Sequence, residues 1–266
     1  MLRLIRTLLA VASAMATLTA TAAETPFTSF KTSTGLEVIA MESHKVPLVT
    51  IVLCSKAGGM TETPATNGLT HLWEHMFFKG NARLPNQEAF NQKIRQLGIV
   101  YNGDTSAEKV RYYFTLPSIF LEDGLQFMYD AIATPLLEKT ELEKERRVVL
   151  DEYDRSAAQP TFDLRNLQRR MIYGELDYLR DPLGMRPLIE NASKKQLLKI
   201  KDEVFVPANS ALLISGDFEI EELKKLTEKH FKNWKTPKNW KAPSHPDFPK
   251  FPESQEFVMT RPLVRN

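Results

Sequence analysis

The spacing of apolar residues changes along the chain, from the two-residue period of strands to the 3.6-residue period of helices. Phe30–Thr34 and Leu36–Glu42 flank Gly35, and this pattern predicts a β-hairpin. Val46–Cys54 is almost continuously apolar, which is typical of a central strand. The first part of the chain is therefore predicted to build a sheet.

A second pair of strands and a series of amphipathic helices follow. Apolar and polar residues alternate over Val110–Leu116, which is predicted to pair with Ile99–Asn102. The order of strands and helices favours the α+β class, with an antiparallel-rich sheet and helices packed on it. Helices with one apolar face are predicted at Asn86–Leu97, Ser118–Ala133, Glu141–Asp154, Phe162–Tyr173, Ser193–Phe205 and Glu219–Phe231.

Capping residues are predicted at several helix starts. Ser118 is the expected N-cap of its helix. Thr140-x-x-Glu143 and Ser193-x-x-Gln196 have the pattern of a capping box, in which the two side chains bond each other's backbone. Thr66 or Asn67 is expected to cap one further helix.

That further helix contains the sequence His71-Leu72-Trp73-Glu74-His75. At 100° per residue, His71, Glu74 and His75 fall on the side opposite an apolar stripe that faces the core. Two imidazoles four residues apart can hold one metal ion, and Glu74 between them can reach a water molecule. The alternatives are a solvated polar face or histidines that only pack. The apolar stripe consists of Leu69, Leu72, Trp73, Met76 and Phe77.

The helix predicted at Glu141–Asp154 carries two acids inside its apolar stripe. Glu145 and Glu152 are separated by two helical turns. A buried carboxylate without a partner is costly, so such acids usually pair with a cation or a metal. The alternative is a shallow stripe in which both acids reach water.

The first residues have the pattern of a targeting segment. Arg3 and Arg6 provide a positive start, Thr7–Leu18 is apolar and small, and Ala20-Thr21-Ala22 offers a cleavage site. The apolar run is too short for a membrane span of ~20 residues. Residues 1–23 are therefore predicted to be a cleaved signal that resembles a bacterial export signal. Its presence implies a periplasmic or secreted protein, with no stable membrane span after cleavage.

Composition narrows the possible partners. Apolar residues make up 42% and charged residues 26% of the chain, as in an ordinary soluble protein. The formal net charge of +2 gives no reason to expect a nucleic-acid partner. Cys54 is the only cysteine, so no intrachain disulfide is possible, and it is predicted to be buried and inert. His44, His230 and His245 lack ligand spacing and are predicted to be solvated.

The sequence around the histidine pair resembles the pitrilysin/insulysin family of zinc metallopeptidases. The order His-x-x-Glu-His, preceded by Gly68 and followed by Phe78-Lys79-Gly80, is the inverted zinc-protease motif. The resemblance covers roughly residues 28–234 and is greatest to the branch of mitochondrial processing peptidase and its bacterial periplasmic or secreted relatives. It implies one Zn²⁺ per chain, held by His71 and His75.

The resemblance also implies roles for residues outside the motif. The family takes its third zinc ligand from a Glu about 76 to 77 residues after the second His, and Glu152 stands 77 residues after His75. Glu145 matches a family acid expected to support catalysis. Asn102 and Gly103 match a substrate-facing edge strand, although the family usually has Ala where Gly103 stands.

The function implied is a zinc metalloendopeptidase that hydrolyses extended peptides or unfolded polypeptides, with Glu74 as general base. One alternative is a non-catalytic peptide-binding or scaffold subunit of the same fold, and another is a small-molecule metallohydrolase. Residues 24–235 are predicted to form the peptidase domain. Residues 236–266 are predicted to be a Pro-rich linker and the start of a second half, which the family needs and a partner chain would supply.

Overall fold

The computed structural model describes residues 27–173 and 180–243, together with single residues 254, 256, 258 and 260. The predicted signal at residues 1–23, His245 and most of the predicted linker lie outside the described residues. In the described part, no helix has both the length and the hydrophobicity that crossing a bilayer requires.

The described residues form one mixed sheet with eight α-helices, which confirms the α+β class. The strands are β1 (Thr28–Lys31), β2 (Glu37–Glu42), β3 (Leu48–Ser55), β4 (Val100–Thr105), β5 (Val110–Pro117) and β6 (Ser210–Gly216). The helices are α1 (Leu69–Phe77), α2 (Gln87–Leu97), α3 (Leu121–Ala133), α4 (Lys139–Ala157), α5 (Phe162–Tyr173), α6 (Arg186–Glu190), α7 (Lys194–Val204) and α8 (Ile220–Phe231).

The order of the described strands across the sheet is β1-β2-β6-β3-β5-β4. All neighbours are antiparallel except β2 and β6, which run parallel. The predicted hairpin of β1 with β2 and the pairing of β4 with β5 are both confirmed. Strand β3 lies inside the sheet as predicted, and β4 forms an edge that passes over α1.

One face of the sheet carries the core. Along β3, Val49, Ile51 and Leu53 are fully or almost fully buried, while the residues between them are only half-buried. Cys54, next to Leu53, is likewise half-buried, so the prediction that it is buried is wrong. The reason is the two-residue side-chain period of a strand, which directs only alternate residues into the core. Partial burial raises the pKa of the Cys54 thiol, which keeps it protonated at neutral pH.

The predicted caps are partly confirmed. Ser193 and Gln196 form the expected capping box at the start of α7. The box predicted for Thr140 is wrong, because α4 begins at Lys139 and Thr140 already lies inside the helix. Ser118 lies in a short 3-10 turn ahead of α3, and its hydroxyl donates to Asp217 Oδ2 (2.7 Å) instead of capping α3.

The prediction that His230 is solvated is also wrong. Helix α8 packs against α3, and His230 is only 8% exposed. Its Nδ1 lies 2.7 Å from Gln126 Oε1, and its Nε2 lies 3.2 Å from Glu122 Oε1. These tertiary partners replace water around the imidazole. His44, by contrast, is exposed as predicted.

Candidate active site

Helix α1 carries the His-x-x-Glu-His sequence and is covered on most sides. It packs against β4 and β5 on one side and against α4, α6 and α7 on the other. Glu74 is only 8% exposed, so the alternative of a solvated polar face does not hold for this residue. The periodicity of one helix does not reveal a second layer, which here is supplied by α4 and the edge strand β4.

Three side-chain atoms from helices α1 and α4 lie close to one another. His71 Nε2 and His75 Nε2 are 3.3 Å apart, and Glu152 Oε2 lies 3.5 Å from the first and 3.6 Å from the second. Four donors around zinc at ~2.0–2.1 Å in a tetrahedron lie about 3.3–3.4 Å from one another. The three atoms therefore have the spacing of three zinc ligands, and their chemical types suit this metal.

The orientation of His75 is fixed by a neighbour on α4. Its Nδ1 lies 3.1 Å from Glu145 Oε2, while Glu145 Oε1 accepts from Lys79 Nζ at 2.8 Å. Donation from Nδ1 to Glu145 leaves the lone pair of Nε2 free for a metal. Burial alone would raise the pKa of Glu145, but its bonds to His75 and Lys79 lower it overall. Glu145 is thus an ionised acceptor at neutral pH.

His71 lacks such a partner. Its Nδ1 is buried and has no hydrogen-bond partner among the described residues. Burial, with a smaller effect of His75, lowers the pKa of His71 to about 4, so the imidazole is neutral at pH 7, as metal binding requires. The ring position of His71 therefore depends on the backbone of α1.

Glu74 lies beside the triangle formed by His71 Nε2, His75 Nε2 and Glu152 Oε2. One nitrogen or oxygen atom from each of His71, Glu74 and His75, of a type that can bind a metal, lies within 4.8 Å of the other two. Burial raises the pKa of Glu74 to about 7 in the absence of a metal, against the opposing effect of His75. A carboxylate with a pKa near 7 is suited to accept and release a proton at neutral pH.

The edge strand β4 covers Glu74. Gly103 lies so close that a Cβ atom added there would be 2.4 Å from Glu74 Oε1 and 3.1 Å from Phe78 Cε2. Asn102 pairs with Tyr113 in the sheet, so its side chain leaves the opposite face from Gly103, and its Oδ1 accepts from Gly103 N at 2.9 Å. Both residues nevertheless border the same cleft as His71, His75 and Glu152.

The cleft has a volume of about 410 Å³ and is open to solvent on one side. It brings together all seven residues that the sequence singles out. Two further residues of the cleft, Lys79 and Thr105, were not predicted as contributors. Lys79 follows His75 by one helical turn, but its role depends on α4, which no local pattern reveals. The cleft is lined by His71, Glu74, His75, Phe78, Lys79, Gln87, residues 101–105, Glu145 and Glu152.

The start of α1 differs from prediction. Neither Thr66 nor Asn67 is the N-cap; that position is occupied by Gly68, which has a left-handed φ of 96° and no side chain to accept a bond. The buried carboxylate of Glu62 accepts from the backbone of Gly68 and Thr70 instead. Reasoning from local sequence fails here because the cap comes from outside the helix.

Comparison with protein families matches two parts of the chain. The family model described as "Insulinase (Peptidase family M16)" matches residues 37–176, which include all of the candidate site residues. A second model, "Peptidase M16 inactive domain", matches residues 191–265 and contains none of them.

Individual relatives are similar over much of the chain. Zinc protease PqqE of Helicobacter pylori is 27% identical over 203 residues, which cover 76% of this chain and 46% of the relative. Mitochondrial-processing peptidase subunit beta of Lentinula edodes is 29% identical, over 78% of this chain and 45% of the relative. The crystal structure of a protease from H. pylori aligns with a TM-score of 0.76 at 26% identity, over 84% of this chain and 54% of that one. The chain thus spans about half the length of the curated relatives it matches.

Proposed function

The chain belongs to the insulinase family of peptidases, family M16, and from this premise we propose that it is the zinc-binding half of a metalloendopeptidase. The observation that carries the proposal is the triangle of His71, His75 and Glu152 atoms with edges of 3.3–3.6 Å. Glu74, with no place in the triangle, lies beside it. This is the arrangement of a metal site with a separate base.

Each residue has a distinct role in the proposed reaction. A bound zinc ion would polarise the scissile carbonyl and increase the acidity of water at the site. Glu74 accepts the proton of the attacking water and delivers it to the leaving amine nitrogen. Glu145 holds His75 in the tautomer that presents Nε2, and Lys79 keeps Glu145 paired.

The proposed substrate is an extended peptide or an unfolded polypeptide. Strand β4 is the edge of the described sheet on the side of the ligands, and an extended chain can add to such an edge through main-chain hydrogen bonds. Gly103 has no side chain to separate that peptide from Glu74. Asn102 contributes through its backbone at the border of the cleft.

We propose that turnover needs a second homologous half. The match covers only 46% of the H. pylori zinc protease and 45% of the L. edodes relative, which is named as a subunit. The cleft is open where a second half would enclose the peptide. In this proposal residues 24–235 form the peptidase domain, and residues 236–266 lead into the second half.

We also propose export to the periplasm or the medium. The support is the basic, then apolar, then small-residue pattern of residues 1–23. Sequencing the N-terminus of exported protein tests this, with a start near Ala23 or Glu24 expected. An intact Met1 on the exported protein would contradict signal cleavage.

Metal analysis and a peptide assay together test the function. Elemental analysis should find one zinc per wild-type chain, and the zinc content should fall strongly in Glu152→Ala. Glu74→Gln should retain zinc, because Glu74 is not a ligand. A quenched fluorogenic peptide is then offered to wild type and Glu74→Gln, each with and without a separately supplied second half.

The peptide assay distinguishes a metalloendopeptidase from a non-catalytic scaffold subunit. Wild type with the second half should cleave, and Glu74→Gln should be slower by about 10²–10⁴-fold, the contribution of a positioned base. Equal cleavage by both would contradict the role of Glu74. No cleavage in any sample, with zinc bound, would favour the non-catalytic peptide-binding subunit. Strong cleavage by the lone wild-type chain would contradict the need for a second half.

A further inference from the structure

Glu62 is a buried carboxylate that the proposed reaction does not use. It is only 2% exposed. Its Oε2 accepts from Gly68 N (2.8 Å) and Asn67 Nδ2 (3.0 Å), and its Oε1 accepts from Thr70 N (2.8 Å) and Thr70 Oγ1 (2.7 Å). All four donors belong to the residues that immediately precede His71. One carboxylate thus accepts hydrogen bonds from the free N–H groups at the start of the helix that carries His71 and His75.

The first turn of α1 needs an acceptor from elsewhere. Its N-cap, Gly68, is in tight contact with a neighbouring loop: an added Cβ would be 2.7 Å from both Gly184 Cα and Ile189 Cδ1. A Ser, Asp or Asn cap therefore does not fit, and the left-handed φ also disfavours a side chain. Glu62 supplies the missing acceptor, and its negative charge suits the positive end of the helix.

This anchoring matters most for His71. The ring of His75 is held by Glu145, whereas His71 Nδ1 has no hydrogen-bond partner in the described part of the chain. The place of His71 Nε2 is therefore set by the backbone of the first turn. Thr70, which bonds Glu62 through both its amide and its hydroxyl, is the residue next to His71.

We propose that Glu62 is a positioning residue for the metal site. It fixes the first turn of α1 so that His71 Nε2 stays 3.3 Å from His75 Nε2 and 3.5 Å from Glu152 Oε2. The inference rests on the proposed zinc site. Glu62 touches neither ligand nor substrate and acts through the backbone of residues 68–70.

Glu62→Gln tests the inference with little change of shape. The variant removes the charge and replaces one acceptor oxygen by an NH₂ group that faces an N–H donor. Zn²⁺ affinity is measured on the full chain by competition with a chromophoric chelator, and unfolding of the metal-free chain is measured in urea. The dissociation constant for Zn²⁺ should rise about tenfold, the lower end of what loss of a group behind a ligand causes.

Asp130→Asn is the matched control. Asp130 is also buried, at 6% exposure, accepts from Gln126 and pairs with Arg83, and none of these three residues lines the cleft. It should lower stability in urea without changing the Zn²⁺ dissociation constant. If Glu62 has a purely structural role, Glu62→Gln should also lower stability without changing the Zn²⁺ dissociation constant. That outcome would overturn the inference while leaving the proposed zinc site intact.

Two further outcomes are decisive. If the wild-type chain binds no Zn²⁺, the proposed function fails, and the positioning role fails with it. If Glu62→Gln does not fold, Thr70→Val decides, because it removes only the hydroxyl bond to Glu62 Oε1. Thr70→Val should then weaken Zn²⁺ binding about threefold, a step below the tenfold change expected when the carboxylate itself is lost. An unchanged dissociation constant in this variant would overturn the inference.

Discussion

The pairing of Glu145 with His75 gives a quantitative prediction for the variant Glu145→Gln. Glu145 is 6% exposed. Its carboxylate accepts one hydrogen bond from His75 Nδ1 at 3.1 Å and one from Lys79 Nζ at 2.8 Å. A Gln side chain has one acceptor oxygen and one NH₂ group. It can accept from His75 or from Lys79, but not from each with a separate oxygen.

Both orientations of the Gln should weaken the proposed metal site. If the oxygen faces Lys79, the NH₂ group faces His75 Nδ1 and favours the tautomer with a proton on Nε2, which blocks a ligand position. If the oxygen faces His75, Lys79 remains cationic and 14% exposed without an anionic partner. The expected loss of zinc affinity is 10- to 100-fold, or about 1.4–2.7 kcal/mol.

Glu141→Gln is the control for this experiment. Glu141 lies one turn earlier on α4 and also pairs with a lysine, Lys144 at 2.7 Å, but it touches none of the ligands. Zinc dissociation constants are measured by chelator competition at about pH 7.5 for both variants, with urea unfolding of the metal-free chains alongside. Equal zinc affinity in the two variants would refute the argument that Glu145 orients His75.

Two other predictions concern the edge strand and an exposed histidine. Gly103→Ala should lower stability by about 1 kcal/mol in urea, the low end of overpacking costs, because the flexible carboxylate of Glu74 can rotate away from the new Cβ; no change relative to Asn102→Ala would contradict this contact. Hydrogen bonds to Asp217 and then Glu42 raise the pKa of His44 above 6.5. A group with a higher pKa in the folded state than in the unfolded state stabilises the fold when it is protonated. This stabilisation is complete below the unfolded pKa and is lost as the pH rises through the folded pKa. The stability difference between wild type and His44→Gln should therefore be larger at about pH 5.5 than at about pH 8.5 in urea titrations, and a difference that grows with pH would contradict it.

The chain by itself determined most of the helices and strands and the residue types that are proposed as zinc ligands. Period and capping residues placed α5 at Phe162–Tyr173 and the box at Ser193, because these depend on contacts within a few residues. The four-residue spacing of His71 and His75 predicted that both rings share one face of a helix, which holds in any fold that keeps α1 helical. The apolar stripe of α4 likewise identified Glu145 and Glu152 as acids that need partners.

Only the tertiary structure decided which partners they have. Glu152 stands 77 positions after His75, and two α-helices and two strands lie between α1 and α4. The 3.6 Å distance between His75 Nε2 and Glu152 Oε2 therefore depends on how α4 packs on α1. Lys79 paired with Glu145 for the same reason. The burial of Glu74 under β4 could not be read from α1, whose periodicity describes one face and not what covers the other.

The start of α1 shows the physical limit most plainly. Local rules favoured Thr66 or Asn67 as the cap because a side-chain oxygen near the first turn normally accepts its free N–H groups. The close approach of Gly184 leaves room only for glycine at the cap position, and the acceptor comes from Glu62, six residues earlier. Local sequence determines hydrogen bonds whose donors and acceptors are neighbours in the chain, whereas packing between distant segments determines which of these bonds can form.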